Sequence, residues 1–229
     1  MAPQTTKFSY DFYKPDKPTD LIYQVDTHYP SETPVLRLTK TNDRDVPQEW
    51  STGRVLYSKT VPFGHAADFT TTVKFIIRPN NTSPQADGLA FFIVPAGHNF
   101  PSPTGGNLGL FESSSSKTSH VFAIAFDTYS ETRGYVNLGI DIESRTPSAK
   151  AQVPSTFVGK ELTLKVSYVA STKAISASVT DGSQTFPVTF TYDLSQILPP
   201  SVQVGLASST GAYVAIHDVN TWGFTSTIP

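Results

Sequence analysis

The chain has 229 residues, of which 38% are hydrophobic and 12% aromatic, and its formal net charge is -2. A charge this close to neutral, without a cluster of lysine or arginine, gives no reason to expect a nucleic-acid partner. The absence of cysteine excludes disulfide bonds and thiolate metal sites, and no apolar run approaches the roughly 18 residues that would predict insertion into a membrane.

Alternating apolar and polar residues predict β-strands along the first half of the chain. Residues 8–12 alternate in this way, and so do residues 73–77. Residues 89–94 instead form a continuous apolar run, which is typical of a strand that is covered on both faces. The 15 Phe and 10 Tyr, with only 16% charged residues, also favour strands over helices.

The second half of the chain continues the same pattern. Residues 162–168 and 175–179 alternate, and the short polar segment between them predicts a hairpin. Residues 194–198 predict a helical turn, which Pro199 and Pro200 end. Prolines and glycines are spread between the strands, so we expect one domain over residues 1–229. Many short strands predict an all-β fold, an antiparallel β-sandwich of the jelly-roll type.

Three short segments in the middle of the chain resemble the sugar-binding signature of the legume-type (L-type) lectins. They are residues 86–92 (ADGLAFF), 105–111 (GGNLGLF) and 126–129 (FDTY). Residues 8–12, 20–26, 53–58, 69–75 and 217–226 are similar to strands of that family in the same order, with 53–58 entering the back sheet. The resemblance implies a concanavalin-like sandwich and a non-catalytic lectin that binds glycans or glycoproteins.

The resemblance also implies a sugar site made by four loops above the front sheet. The first loop supplies Asp87, which follows a cis peptide bond and accepts hydrogen bonds from two sugar hydroxyls. The second supplies a backbone N–H of a glycine, whose missing side chain lets the sugar approach, and the third supplies an aromatic ring that stacks on the pyranose. The implied carbohydrate-binding residues are Asp87, Gly105, Gly106, Tyr129, Glu131, Thr210, Gly211, Ala212 and Tyr213.

The metal-binding residues of the family are largely replaced in this chain. The family has a Glu two residues before Asp127, where this chain has Ala125, and a His where it has Asn137. Calcium takes about six to eight oxygen ligands, whereas Asp127, Glu131 and the Tyr129 carbonyl supply about three or four. We therefore expect no resident Ca/Mn pair and at most weak Ca²⁺ binding at these three residues.

Arg133 is the candidate to replace the charge of the missing cation. It lies six residues after Asp127 and two after Glu131, so that in a tight loop its guanidinium could pair with either carboxylate. The alternative interpretation is a solvated loop arginine.

Two other functions stay open at this point. Asp141 and Glu143 are two residues apart, hence on one face of a strand, and resemble a shortened form of the acid motif of β-glucan hydrolases. Those enzymes carry a further Glu where this chain has Gly139, so we expect no catalysis. A lectin-like defence protein that has lost sugar binding and acts through protein contacts is the other alternative.

The compartment and the oligomeric state are not determined by these patterns. The first residues lack the apolar core of a signal peptide, so we expect either a cytosolic protein or the mature form of a secreted one. The resemblance implies a homodimer formed through edge strands, and residues 8–12 are the candidate edge.

Overall fold

Two antiparallel sheets packed face to face form the structure, a computed structural model that describes residues 3–80, 84–102, 104–129 and 133–229. This all-β sandwich confirms the predicted fold class. The strands are β1 (Gln4–Asp11), β2 (Leu21–Val25), β3 (Leu36–Arg37), β4 (Thr52–Tyr57), β5 (Val61–Pro62), β6 (Asp68–Pro79), β7 (Gly88–Pro95), β8 (Phe122–Asp127), β9 (Tyr135–Ile142), β10 (Ala149–Pro154), β11 (Glu161–Val169), β12 (Ala174–Thr180), β13 (Thr185–Thr191), β14 (Ser201–Ser209) and β15 (Ala215–Ile228).

The back sheet has seven strands in the order β1-β15-β6-β11-β12-β13, with the short β3 also beside β15. The front sheet has eight strands in the order β10-β9-β8-β7-β14-β4-β2, with β5 beside β14. Among the described strands β1 pairs only with β15, so residues 8–11 of the predicted edge segment do lie at an edge of the back sheet. The predicted hairpin is formed by β11 and β12.

The expectation that residues 53–58 enter the back sheet is wrong. Residues 53–57 belong to β4, which pairs with β14 and β2 in the front sheet. All six residues of β4 are buried, which is the pattern of a strand covered on both faces and not of a strand in the half-exposed back sheet.

The main core fills the space between the two sheets. In β6 every second residue is buried, and Phe69, Val73 and Phe75 point inward against the front sheet. Trp222 of β15 is fully buried, and its ring N–H donates to the Thr71 hydroxyl at 3.1 Å. Burial of each such large side chain stabilises the fold by about 1.5–3 kcal/mol.

The front sheet is covered by apolar side chains on its outer face as well. Phe92 and Ala123 point away from the main core and form a second cluster with Leu108, Leu110 and Phe111. These last three residues come from the connection between β7 and β8, which folds back over the sheet. The continuous apolar run at 89–94 therefore marks a strand buried on both faces, as predicted.

Arg54 of β4 fastens this covering loop to the sheet. Its side chain is buried, its Nη1 donates to the Gly109 carbonyl at 2.7 Å, and its Nε donates to the Gln24 side chain at 2.9 Å. The guanidinium also lies 4.5 Å from the centre of the Phe100 ring. The apolar cluster and the contacts of the Arg54 guanidinium together fix the position of the covering loop between β7 and β8.

The described helices are three short 3₁₀ turns, and one of them, Leu194–Gln196, lies in the predicted helical segment. The Asp193 carboxylate accepts from the Ser195 N–H at its start. None of the helices in the described part of the chain is long and apolar enough to cross a membrane.

A buried arginine links β3 to the first residues of β15. The Arg37 side chain is fully buried, and its Nε and Nη2 donate to the two carboxylate oxygens of Asp218 at 2.8 Å and 3.1 Å. Arg78 donates to the same carboxylate at 2.7 Å, and Asp45 completes the network through Arg37. The buried charges are therefore paired on all sides.

We expect Asp218→Ala to lower the free energy of unfolding by about 3–5 kcal/mol, because it removes the buried carboxylate that pairs with two nitrogens of the Arg37 guanidinium and leaves, among the described residues, only the half-exposed Asp45 as its ionic partner. Urea unfolding followed by tryptophan fluorescence measures this change. Lys173→Ala, which breaks an exposed ion pair with Asp193, is the control and should leave the unfolding midpoint nearly unchanged. Equal effects of the two substitutions would contradict the structural importance of the buried network.

Candidate functional site

Backbone hydrogen bonds bring four loops together above the front sheet. The Asp87 N–H donates to the Ser209 carbonyl at 3.0 Å, and the Gly105 N–H donates to the Thr210 carbonyl at 3.1 Å. The Thr128 N–H donates to the Asp87 carbonyl at 3.0 Å. The loops expected to meet here from sequence therefore do meet, and the fourth loop, after β14, links the other three.

Asp87 lies at the centre of this junction, and the peptide bond between Ala86 and Asp87 is cis, as the family resemblance implied. Its side chain is buried, and its Oδ2 atom has no hydrogen-bond partner among the described residues. A buried polar atom without a partner is uncommon and costly, so each case needs an explanation. Here the free acceptor lies beside the backbones of two glycines.

Gly105 and Gly211 leave the space next to the Asp87 carboxylate open. Gly105 has a φ of +67°, a backbone conformation that residues other than glycine adopt rarely. A Cβ atom on Gly211 would lie 3.4 Å from Asp87 Oδ2 and 3.3 Å from the Cα of Gly105. A side chain there would fill the place of a ligand atom that hydrogen-bonds to the carboxylate.

Burial raises the pKa of the Asp87 carboxyl to about 7, and the nearby charge of Asp127 adds to this rise. The Arg145 guanidinium and the Gly211 backbone N–H act in the opposite direction. The Asp87 carboxylate is therefore a strong hydrogen-bond acceptor whose charge the protein itself compensates only in part.

Two exposed tyrosine rings border the site. Tyr129 from the third loop and Tyr213 from the fourth are 44% and 42% exposed, and their rings stack with centroids 5.8 Å apart. Ala212 is also exposed, whereas Thr210 is fully buried. The Thr210 hydroxyl donates to the Gln48 carbonyl, so this residue positions the fourth loop and its side chain does not face the ligand space.

Arg145 lies beneath the second and third loops, with its side chain only 7% exposed. Its Nε donates to the Gly106 carbonyl at 2.5 Å and its Nη2 to Asp127 Oδ2 at 2.8 Å. Its Nη1 donates to the carboxylate of Asp141. One guanidinium therefore bridges the second loop, the end of β8 and the strand β9.

Asp141 is fully buried on this side of the front sheet, and Asp127 beside it is partly buried, with 25% of its side chain exposed. Burial raises the pKa of Asp127, and it raises that of Asp141 to about 7, while the Arg145 guanidinium lowers both. The two carboxylates in turn raise the pKa of Arg145 despite its burial, so the guanidinium keeps its charge.

The residues around Arg145 do not fit the family's metal pair. A cavity of about 430 Å³ lies here; the Arg145 guanidinium already pairs with the carboxylates of Asp127 and Asp141 on its walls, and a second cationic residue, Lys150, also lines it. Ala125, another wall residue, offers no ligand atom. Across the described ranges no group of three or more His, Asp or Glu could hold a metal ion.

The expected cation substitute, Arg133, does not occupy this position. It is exposed, and the guanidinium that contacts Asp127 is that of Arg145. Glu131, expected to contact the sugar and to pair with Arg133, lies outside the described residues, so both expectations for it stay predictions.

The two acids considered for catalysis do not form a pair. Asp141 is bound to Arg145, whereas Glu143 has a φ of +53° and pairs with Lys117 at 2.7 Å and with the His120 N–H at 2.8 Å. The left-handed backbone at Glu143 ends the alternation of β9, so these carboxylates belong to different networks.

Two residues of this region had no signal in the sequence. Arg145 follows Asp141 by four positions in a loop, and nothing in that spacing indicates a side chain that turns back under the sheet. Trp50 is an isolated aromatic before β4, yet its N–H donates to the Gly211 carbonyl at 3.2 Å. Only the folded chain places both beside the four loops.

Comparison with known proteins gives one consistent result. The legume lectin domain family matches residues 5–229. The bark agglutinin I polypeptide B of Robinia pseudoacacia is 36% identical over 97% of this chain and 81% of that polypeptide. The metal-free form of lectin I-B4 from Griffonia simplicifolia is 30% identical, with a TM-score of 0.86 over 96% of this chain and 99% of the lectin. The Bauhinia forficata lectin in complex with GalNAc is 29% identical, with a TM-score of 0.83 over 97% and 99%.

The raised pKa of Asp87 predicts a pH-dependent cost to stability. Because the folded pKa of about 7 lies above the ordinary aspartate pKa of 3.8, the protonated carboxyl stabilises the fold fully below pH 3.8, and this contribution is lost as pH rises through 7. Asp87→Asn should therefore gain stability relative to the parent between pH 5 and pH 8. The gain should reach a few kcal/mol, since one pKa unit corresponds to about 1.4 kcal/mol.

Urea unfolding of parent and variant at both pH values measures this difference. Asp193→Asn is the control, because hydrogen bonds from Ser195 and Lys173 lower the pKa of Asp193. That carboxyl is ionised throughout the interval, so its substitution should change stability by the same amount at both pH values. A pH-independent effect of Asp87→Asn would contradict the raised pKa.

Proposed function

Since this chain belongs to the legume lectin family, we propose that it binds carbohydrate between the four loops above its front sheet, without a Ca/Mn pair. The relatives are agglutinins and lectins, so the chain is a non-catalytic, carbohydrate-binding protein and not an enzyme. The same relatives do not favour a β-glucan hydrolase or a defence protein that has lost sugar binding.

The unpartnered oxygen of Asp87 is the observation that supports this position of the site most strongly. A sugar presents adjacent hydroxyl groups as donors, and two of them on the Asp87 carboxylate would satisfy its buried acceptor. The open backbone at Gly105 and Gly211 leaves room for the sugar ring to approach. No donor among the described residues satisfies this oxygen, which a ligand hydroxyl would do.

The exposed rings of Tyr129 and Tyr213 supply the second half of the recognition. A pyranose has an apolar face of C–H groups, which packs on an aromatic surface while its hydroxyls keep their hydrogen bonds. A polar acceptor facing one side of the sugar and a ring facing the other would orient it. The Bauhinia forficata lectin, which shares this fold, was solved in complex with GalNAc; the sugar preferred by this chain depends on its own loops.

The absence of a Ca/Mn pair is part of the proposal. It is supported by the alanine at position 125, by the asparagine at position 137 and by the Arg145 guanidinium, which already pairs with the carboxylates of Asp127 and Asp141. Glycans or glycoproteins are the partners. Assembly into a homodimer through the β1 edge stays a prediction.

We expect Asp87→Asn to weaken binding about a hundredfold, because the amide loses the charge and one acceptor of two hydrogen bonds. Tyr129→Ala should cost roughly three- to tenfold through lost stacking. A glycan array identifies the ligand, and isothermal titration calorimetry then measures each affinity.

Tyr13→Ala is the matched control for the tyrosine, since Tyr13 is 49% exposed and lies two residues after β1, a strand of the back sheet, whereas the four loops lie above the front sheet. It should bind as the parent does. If neither Asp87→Asn nor Tyr129→Ala lowered the affinity for any glycan that the parent binds, the site would be elsewhere on the molecule.

A further inference from the structure

We propose that the Arg145 guanidinium is the resident cation of this site, holding the second and third loops in their sugar-binding arrangement in place of the family's metal ions. This inference rests on the proposed function, and it deepens it by naming the group that organises the loops. Four observations carry it.

The first observation is connectivity. A metal ion organises a site by binding ligands from several segments at once, and the guanidinium does the same with five N–H donors in a fixed plane. It reaches the Gly106 carbonyl, Asp127 Oδ2 and Asp141, which belong to three separate segments. The Phe111 ring, with its centre 5.8 Å from the guanidinium carbon, adds a contact to the covering loop.

The second observation is the space that the sequence provides. Ala125 and Gly139 lie opposite each other in the pairing of β8 with β9. Both line the cavity that also contains the arginine head group. A glutamate at position 125, which the family uses as a metal ligand, would project into this cavity. The small residues there accommodate a large cationic side chain in its place.

The third observation is burial and charge. Asp127 and Asp141 lie on neighbouring strands, and without a cation between them the buried Asp141 carboxylate and the partly buried Asp127 carboxylate would repel each other. Only 7% of the Arg145 side chain is exposed. Each of its three guanidinium nitrogens donates a hydrogen bond, to the Gly106 carbonyl, to Asp141 and to Asp127. Such pairing is what a buried charge requires.

The fourth observation is the link to Asp87, the sugar acceptor. The Arg145 charge lowers the pKa of Asp87 and so favours its ionised, accepting form. The Thr128 N–H, one residue after the Arg145 partner Asp127, donates to the Asp87 carbonyl. The guanidinium therefore acts on the acceptor both through charge and through the position of the third loop, as a positioning residue.

The experiment compares the parent with Arg145→Met, which keeps the length of the side chain but removes its charge, and with Arg145→Lys, which retains a charge but not the planar fork. Affinity for the glycan that the parent binds is measured by calorimetry in excess EDTA and in excess Ca²⁺. We expect equal affinity of the parent in both media, a loss of at least about tenfold for Arg145→Met, and a smaller loss for Arg145→Lys. Arg44→Met, at an exposed arginine outside the site, is the matched control and should bind as the parent does.

Several results would overturn this inference. They are loss of parent binding in EDTA with recovery in Ca²⁺, unchanged affinity of Arg145→Met, or loss of binding in Arg133→Met alone. If the parent bound no glycan in either medium, the proposed function would fail, and a ¹³C NMR titration of Asp87 would still test the role of Arg145. Its pKa should rise in Arg145→Met, or in Arg145→Lys if the methionine variant does not fold; an unchanged pKa would count against the inference.

A separate observation concerns Trp50, from which we infer a second subsite that binds the next sugar residue of an oligosaccharide. Trp50 is 62% exposed, more than any tyrosine or other tryptophan among the described residues. Its backbone has a φ of +57°, which is a strained conformation for a bulky residue and is often retained for function.

The fourth loop holds Trp50 beside the primary site. The Trp50 N–H donates to the Gly211 carbonyl, and Ser51 exchanges two further hydrogen bonds with Thr210. The point 3.4 Å from Asp87 Oδ2 where a Cβ on Gly211 would lie is 3.8 Å from the Trp50 ring atom Cζ3. The acceptor oxygen and the ring edge therefore border the same space beside Gly211, and a second residue of a glycan bound at Asp87 can pack on the ring. This subsite also rests on the proposed function.

The chain has two tryptophans, and Trp222 is fully buried, so iodide quenching of fluorescence reports on Trp50. We expect oligosaccharides of the bound sugar to protect the fluorescence, whereas the monosaccharide does not. Trp50→Ala should lower oligosaccharide affinity roughly three- to tenfold and leave monosaccharide affinity unchanged. Monosaccharide binding without any protection by oligosaccharides would overturn the subsite, while absence of all binding would instead refute the proposed function.

Discussion

Apolar burial on both faces of the front sheet is the constraint on which the rest of this structure depends. A strand such as β7, with large apolar side chains pointing to either side, is stable only if both sides are covered. The back sheet covers one face, and the connection through Leu108 and Phe111 covers the other. This second cover carries Gly105 and Gly106 to the edge where the other loops end, so the position of the candidate site is a consequence of core packing.

Charge compensation under the loops is the second organising element. Two arginines in this molecule are buried among carboxylates, Arg37 behind β15 and Arg145 below the second and third loops. The first joins strands of the back sheet, whereas the second joins segments that border the ligand space. A covalently attached cation cannot dissociate, so an arrangement organised by Arg145 would not vary with the concentration of divalent metal ions, in contrast to sites that must bind a metal to form.

The acceptor itself is left incompletely satisfied. Burial without a partner makes the Asp87 carboxylate costly to the folded protein at neutral pH, and the same property makes it a strong acceptor for a ligand that brings donors. The stacked rings of Tyr129 and Tyr213 likewise expose apolar surface to solvent. Both features reduce stability in the free protein and increase what a bound sugar gains, which is typical of binding sites.

The sequence alone determined the sandwich, because alternation with a period of two and doubly apolar runs are local properties that any strand with those residues must have. It also determined that Asp87, the glycine pair and Tyr129 lie in loops of a legume lectin, through motifs of fixed spacing. The sequence did not determine which strands pair. The segment 53–58 was expected in the back sheet but contributes to the front sheet, because its pairing depends on distant strands such as β14. Only the tertiary structure decided which arginine pairs with Asp127. Arg133 is closer along the chain, but the turn after β9 directs Arg145 back beneath the sheet. There its side chain fits into the space left by Ala125 and Gly139. Side-chain direction after a turn is set by packing and charge in three dimensions, which no spacing along the chain records.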